Sequence, residues 1–139
     1  MKKTMLLLLG AMALTGCSNA SQTGNQPDAG KLANRLFALT SVDGQAVTPR
    51  EGMKPGISFG ENLKVSGVMC NRFFGQGKLE QGRLFVPQLA STRMMCSDAQ
   101  LNQWEQTLSA VLVQGAEVKL TEQTLTLTGS GHTLVYQAH

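Results

Sequence analysis

The chain is short of the residues from which most active sites and nucleic-acid surfaces are built. Of its 139 residues, 5% are aromatic, with a single tryptophan, Trp104. A surface that stacks bases needs exposed aromatic faces among basic side chains, so nucleic-acid partners are excluded. There are two histidines. His132 follows a glycine turn, where a surface histidine is the default, and His139 is expected to fray. No Gly-x-Ser-x-Gly elbow and no phosphate-cradling glycine loop occurs. The nine carboxylates are scattered over turns and one helical stretch, with no pair placed for acid–base work. No His and Cys cluster has ligand spacing, so no metal or other cofactor is expected. These absences point away from an enzyme.

A long apolar run is also missing. Residues 5–14, with four consecutive leucines, make about ten apolar positions, and a membrane-spanning helix needs ~20. Lys2 and Lys3 precede that run, and Leu14-Thr15-Gly16-Cys17 follows it. Positive start, apolar stretch and small residues in that order mark a secretory signal over residues 1–16. The last four residues resemble the lipobox of bacterial lipoproteins. That resemblance implies cleavage before Cys17 and lipid on Cys17. Ser18, rather than Asp, stands next, which by the same resemblance implies the periplasmic face of the outer membrane. A multi-chain lipid buries enough methylenes for stable anchoring. Residues 17–30 hold no large apolar side chain and read as a flexible tether. Removing Lys2 and Lys3 lowers Lys+Arg from 12 to 10 against 9 acidic residues, so the net charge falls from +3 to +1. The basic character is thus partly that of the signal, and one domain, residues 31–139, remains.

What is present is a set of short alternating segments. Ile57 and Phe59, then Leu63, Val65 and Gly67, then Leu125 and Leu127, and Leu134 and Tyr136 alternate with polar residues, as half-buried strands do. Asp43-Gly44 and Gln81-Gly82 predict hairpin turns. Residues 48–56, with two prolines, predict a loop. Pro87 ends a strand, since it cannot donate to a ladder. Ser97 and Gln100 have the spacing of a capping box, and Leu101, Trp104, Leu108, Val111 and Leu112 form one helical face. Gly115 predicts the stop. The expected fold is α+β: an antiparallel, partly open barrel-like sheet of about eight short strands with one helix packed against it.

Two stretches organise this domain. Residues 66–77 form a glycine-rich turn region holding Met69, Cys70, Asn71 and Arg72, and residues 92–96 read Thr-Arg-Met-Met-Cys. With Cys17 lipidated, two cysteines remain in an oxidising compartment, where a Cys70–Cys96 disulfide is expected. The alternative is two buried free thiols. Met69, Met94 and Met95 flank the cysteines. Thioethers suit Cu(I), but oxidised cysteines leave a poor methionine-only set, so these side chains are expected to fill core gaps around the bridge. Asn71-Arg72 at a tight turn suits an anion, although such an Asn more often holds its own backbone.

Residues 65–75 and 92–96 together resemble the META domain family, and the likeness runs over residues 36–136. The residues carrying it include Gly67, Met69, Asn71, Arg72, Gly75, Thr92, Arg93 and Met94. Phe37 stands where many members have tryptophan, and Met69 where many have glycine, which points to the family's heat-shock lipoprotein branch. The resemblance implies a barrel-like fold with a disulfide, heat-inducible expression, an association with novobiocin tolerance and no established enzymatic activity. A monomer is expected. Beyond the membrane held through the lipid, the open alternatives are an acyl-chain or protein-binding module, like secretin pilots, and an inhibitor of wall hydrolases.

Overall fold

The computed structural model describes residues 29–48 and 54–139. The expected signal, the lipid-bearing Cys17 and the tether up to residue 28 lie outside these, as does most of the expected 48–56 loop. Ala29 and Gly30, assigned by composition to the end of the tether, belong to a short helix, α1 (Ala29–Leu32), whose Leu32 is fully buried.

Among the described residues eleven strands follow, more than the eight expected. They are β1 (Arg35–Val42), β2 (Gln45–Ala46), β3 (Gly56–Phe59), β4 (Lys64–Val68), β5 (Arg72–Gln76), β6 (Lys78–Glu80), β7 (Arg83–Phe85), β8 (Ala90–Ser91), β9 (Ala116–Leu120), β10 (Thr124–Gly129) and β11 (His132–Ala138). Helix α2 (Ala99–Gln114) stands between β8 and β9. The described strands form one antiparallel sheet in the order β6-β7-β9-β10-β11-β1-β3-β4-β5-β8, with β2 paired to β1 off this path. Only Gly77 separates β5 from β6. Residues 72–80 therefore form one bent stretch that belongs to both halves of the pairing path. That shared stretch curls the sheet into a half-barrel, and α2 packs across its concave side against β7, β10 and β11.

Three tight hairpins share one geometry. Asp43-Gly44, Gln81-Gly82 and Ser130-Gly131 all have positive φ at both positions, 51 and 82°, 54 and 80°, 51 and 80°. This is the turn whose twist matches that of the flanking strands. Glycine accepts it at the second position without strain, and the short polar Asp and Ser tolerate it at the first.

The glycine-rich stretch is not mainly a turn. Residues 64–68 and 72–76 are paired strands, and only residues 69–71 turn between them. The register explains the glycines. Phe37, Ile57, Gly67 and Phe73 form one inward-facing row across β1, β3, β4 and β5. A Cβ on Gly67 would sit 2.2 Å from the Gly56 carbonyl and 2.6 Å from the Phe73 ring. Gly75 likewise leaves room for the Val86 side chain, 2.6 Å from its would-be Cβ. Both are close-approach positions within strands.

The α2 face is as its spacing predicts: Leu101, Trp104, Leu108, Val111 and Leu112 are buried. The cap differs. Asp98, not Ser97, accepts from the backbone N–H groups of Gln100 at 2.8 Å and Leu101 at 3.3 Å. A carboxylate there gains from the helix dipole as well as from the bonds. His139 is not frayed, because its N–H donates to the Leu36 carbonyl at 3.0 Å.

Gly67→Ala is expected to cost about 1–3 kcal/mol through overpacking, read as a lower denaturant midpoint with unchanged slope.

Candidate functional site

The turn between β4 and β5 is fastened to the start of α2. Cys70 and Cys96 are joined by a disulfide with Cα atoms 5.9 Å apart, as the cysteine count predicts. The bridge spans 26 residues, for which the chain-entropy model gives ~3.5 kcal/mol. Asn102, one turn into α2, grips Cys96 by both backbone groups. Its Oδ1 accepts from the Cys96 N–H at 3.2 Å and its Nδ2 donates to the Cys96 carbonyl at 2.8 Å.

A second fastening is electrostatic. Glu105 Oε1 accepts from the backbone N–H groups of Cys70 at 3.0 Å and Asn71 at 2.6 Å, and its Oε2 accepts from Asn71 Nδ2 at 2.5 Å. Hydrogen bonds to an ionised acceptor are the stronger kind. The tight turn does hold an anion, and that anion is a side chain of the same protein.

Asn71 is the buried polar residue at the centre. Besides Glu105, its Nδ2 donates to the Met94 carbonyl at 2.9 Å. Its Oδ1 accepts from the Met94 N–H at 2.7 Å and from Thr92 Oγ1 at 3.0 Å. All four hydrogen-bonding positions of the carboxamide are filled. Rather than holding its own backbone, Asn71 holds the 92–96 segment. Thr92 Oγ1 in turn accepts from the Arg72 N–H at 3.2 Å.

The structure therefore brings Met69, Cys70, Asn71, Thr92, Met94 and Cys96 together but gives them structural tasks. Met69 is fully buried, as a core-filling methionine should be. Met94 and Met95 are not gap fillers: they are 67% and 87% exposed. Their backbone runs over the bridge, where Asn71 bonds both polar groups of Met94, so the side chains point outward. Arg72 and Arg93 are exposed. Gly67 and Gly75 lie in the sheet, away from the turn. Glu105 and Asn102 were not singled out from the sequence. Their signal is position, because each lies one residue from a buried stripe residue, Trp104 or Leu101.

His132 belongs to a different cluster. Its Nδ1 is 2.7 Å from Asp43 Oδ2, and the Thr133 N–H donates to Asp43 Oδ1 at 2.8 Å. The His132 bond, the Thr133 N–H and the imidazolium charge hold the exposed Asp43 carboxyl below its ordinary value. This pair ties two hairpin tips together. Among the described residues, no three His, Cys, Asp or Glu side chains stand together as metal ligands.

The interior is filled by the core. Beside Trp104 a cavity of about 80 Å³ remains, lined by Val47, Pro55, Leu101 and Trp104 among others. Ligand pockets usually measure ~300–1,000 Å³. Two larger depressions, about 420 and 480 Å³, lie on the outer side of the sheet.

The sequence model of the META domain matches residues 30–139. The chain is 42% identical to Heat shock protein HslJ of Escherichia coli (strain K12) over 137 residues, covering 99% of this chain and 96% of that protein. Among solved structures, it resembles a protein determined by NMR with TM-score 0.74 and 46% identity, over 80% of this chain and 94% of that one. A second NMR structure, of a protein from Burkholderia xenovorans, gives TM-score 0.63 at 22% identity over 88% and 98%, a likeness of fold alone.

Asn71→Ala is expected to cost about 1–3 kcal/mol with the disulfide intact, since it strands the Met94 and Glu105 groups; denaturant unfolding of the oxidised protein measures it. Because the native pKa of Asp43 is lowered, its contribution is complete above the ordinary value of 3.8 and is lost as the pH falls below it. The stability gap between wild type and Asp43→Asn should therefore shrink on acidification below that value, in thermal melts across pH.

Proposed function

The chain belongs to the META domain family, and from that membership we propose that it is a non-enzymatic lipoprotein, anchored through Cys17 at the periplasmic face of the outer membrane and contributing to heat and novobiocin tolerance. Its similarity to HslJ over nearly its whole length supports the heat-stress role. The novobiocin association comes with the family resemblance. The observation that carries the non-enzymatic reading is the state of the Asn71 cluster. The Asn71 carboxamide and both Glu105 oxygens are engaged in joining the turn to α2, and catalysis needs a group left over to act on substrate. No described helix is long and apolar enough to cross a membrane.

A binding role is the second reading. The exposed apolar residues and the two outer depressions favour it, whether the partner is an acyl chain, a secretin-like subunit or a wall hydrolase.

Fractionation tests the anchor. After a high-salt wash, wild type is expected in the outer membrane with a lipidated N-terminal Cys17, and Cys17→Ser in the soluble fraction. A strain lacking the protein should lose heat and novobiocin survival, regained with wild type and not with Cys17→Ser. A soluble wild-type protein with an unmodified cysteine, or unchanged tolerance, contradicts the proposal.

A further inference from the structure

The outer face of the sheet carries a feature that the family assignment does not explain. Across neighbouring strands the register sets Leu36, Ser58, Ser66, Phe74 and Ala90 in one outward row. Leu36 and Phe74 are 54% and 55% exposed, among the few large apolar side chains left open. They stand three strand spacings apart, about 14 Å. Between them Ser58 and Ser66 bond to each other at 3.0 Å, so the small hydroxyls are satisfied and the row is shallow. Each apolar residue lines its own depression, and each depression has a lysine at its rim: Leu36 with Lys54, Phe74 with Lys64. The next row, Ala38, Gly56, Val68 and Arg72, adds a third cation.

The charge on this face has one sign. Lys64 and Arg72 stand on it, and strands β1, β3, β4, β5 and β8 contain no acidic residue; Arg35, over the inward-facing Phe37 ring, belongs to the other face. Among the described residues, Lys54, Lys64 and Arg72 have no carboxylate partner within 4 Å. In sequence, Glu61, in the short 3-10 turn between β3 and β4, stands three residues before Lys64, and Glu51 three residues before Lys54. Two separated apolar side chains ringed by unpaired cations are complementary to a layer of anionic headgroups over acyl chains.

Chain length places that layer within reach. About twelve residues separate Cys17 from Ala29, and even fully extended they span at most ~40 Å. A domain of this size has a radius of gyration near 13 Å. A lipid on Cys17 would thus hold the sheet at high effective concentration beside the bilayer, where weak surface affinity suffices.

We infer that the outer face of β1, β3, β4 and β5 is a membrane-contact surface for anionic phospholipid, with Leu36 and Phe74 entering between headgroups and Lys54, Lys64 and Arg72 on the phosphates. The inference rests on the lipid-anchor reading for its biological setting, but the contact itself belongs to the folded domain. The bilayer then fixes the orientation of the protein: α2 and the disulfide face away from it.

The test uses the mature chain carrying Cys17→Ser, which has no lipid, in flotation with vesicles. It is expected to float with phosphatidylcholine vesicles containing phosphatidylglycerol, to ignore pure phosphatidylcholine, and to be released by salt. Lys54→Gln, Lys64→Gln and Arg72→Gln should each weaken binding about fivefold. The pair Leu36→Ser and Phe74→Ser should abolish it with cooperative unfolding retained. Lys119→Gln, on β9, should leave it unchanged. Equal binding to both vesicle types, absence of binding, or undiminished flotation of the Leu36→Ser, Phe74→Ser variant overturns the inference. Absence of binding together with a protein captured by a photo-crosslinker at position 74 overturns it in favour of a protein partner. Because the unlipidated chain is used, a failure here leaves anchoring through Cys17 standing, and a soluble wild type leaves this contact standing.

Discussion

The fold depends on three residues, 69–71, being tied to α2 twice. The Cys70–Cys96 bridge makes one tie and the Glu105 carboxylate makes the other. The sheet holds α2 at its other end, where the Val86 N–H donates to the Leu112 carbonyl at 2.8 Å. It is open, and its pairing path ends in the two-residue β8 and the three-residue β6. The helix supplies the apolar stripe that fills the concave side, and the double tie sets where that stripe begins. The two ties are independent, since reduction of the bridge leaves the Glu105 hydrogen bonds to the Cys70 and Asn71 amides in place.

Asn71 extends the tie from the helix to the 92–96 segment. A buried carboxamide with all four positions filled is specific as well as stabilising, because any shift of its neighbours strands a polar group. The same cluster that identifies the family is therefore an internal joint. Its consequence for function is indirect: the Asn71 carboxamide and its partners face inward, and what the domain offers to its surroundings is its outer sheet face with Arg72, and the exposed Arg93, Met94 and Met95.

Much of this was legible from the residues. Xaa-Gly pairs set the hairpins because few residues accept positive φ, and the stripe from Leu101 to Leu112 marks α2 because helical periodicity is hard to imitate over three turns. The cysteine count predicted the bridge. Other features were hidden. Glycine reads as turn in isolation, so β5 was concealed by Gly75, whereas the alternation of Leu63, Val65 and Gly67 marked β4; only the register shows that Phe73 and Val86 occupy the space a Cβ would need at Gly67 and Gly75. Met94 and Met95 look like core residues by type, and their exposure follows from Asn71 gripping the backbone beneath them. Glu105 was one carboxylate among nine until the fold set it against the turn's amides. Asp98 and Ser97 are adjacent acceptors, and only the chain direction entering α2 decides which becomes the cap.

Amide hydrogen exchange at Cys70 and Asn71 tests the central claim most directly. Both N–H groups donate to Glu105 Oε1, so both should exchange slowly in the oxidised wild type, and in Glu105→Ala both should become fast while the amides of β10 and β11 keep their protection. Fast exchange at these two amides in the wild type, or protection that survives Glu105→Ala, would show that the turn is not held by the helix.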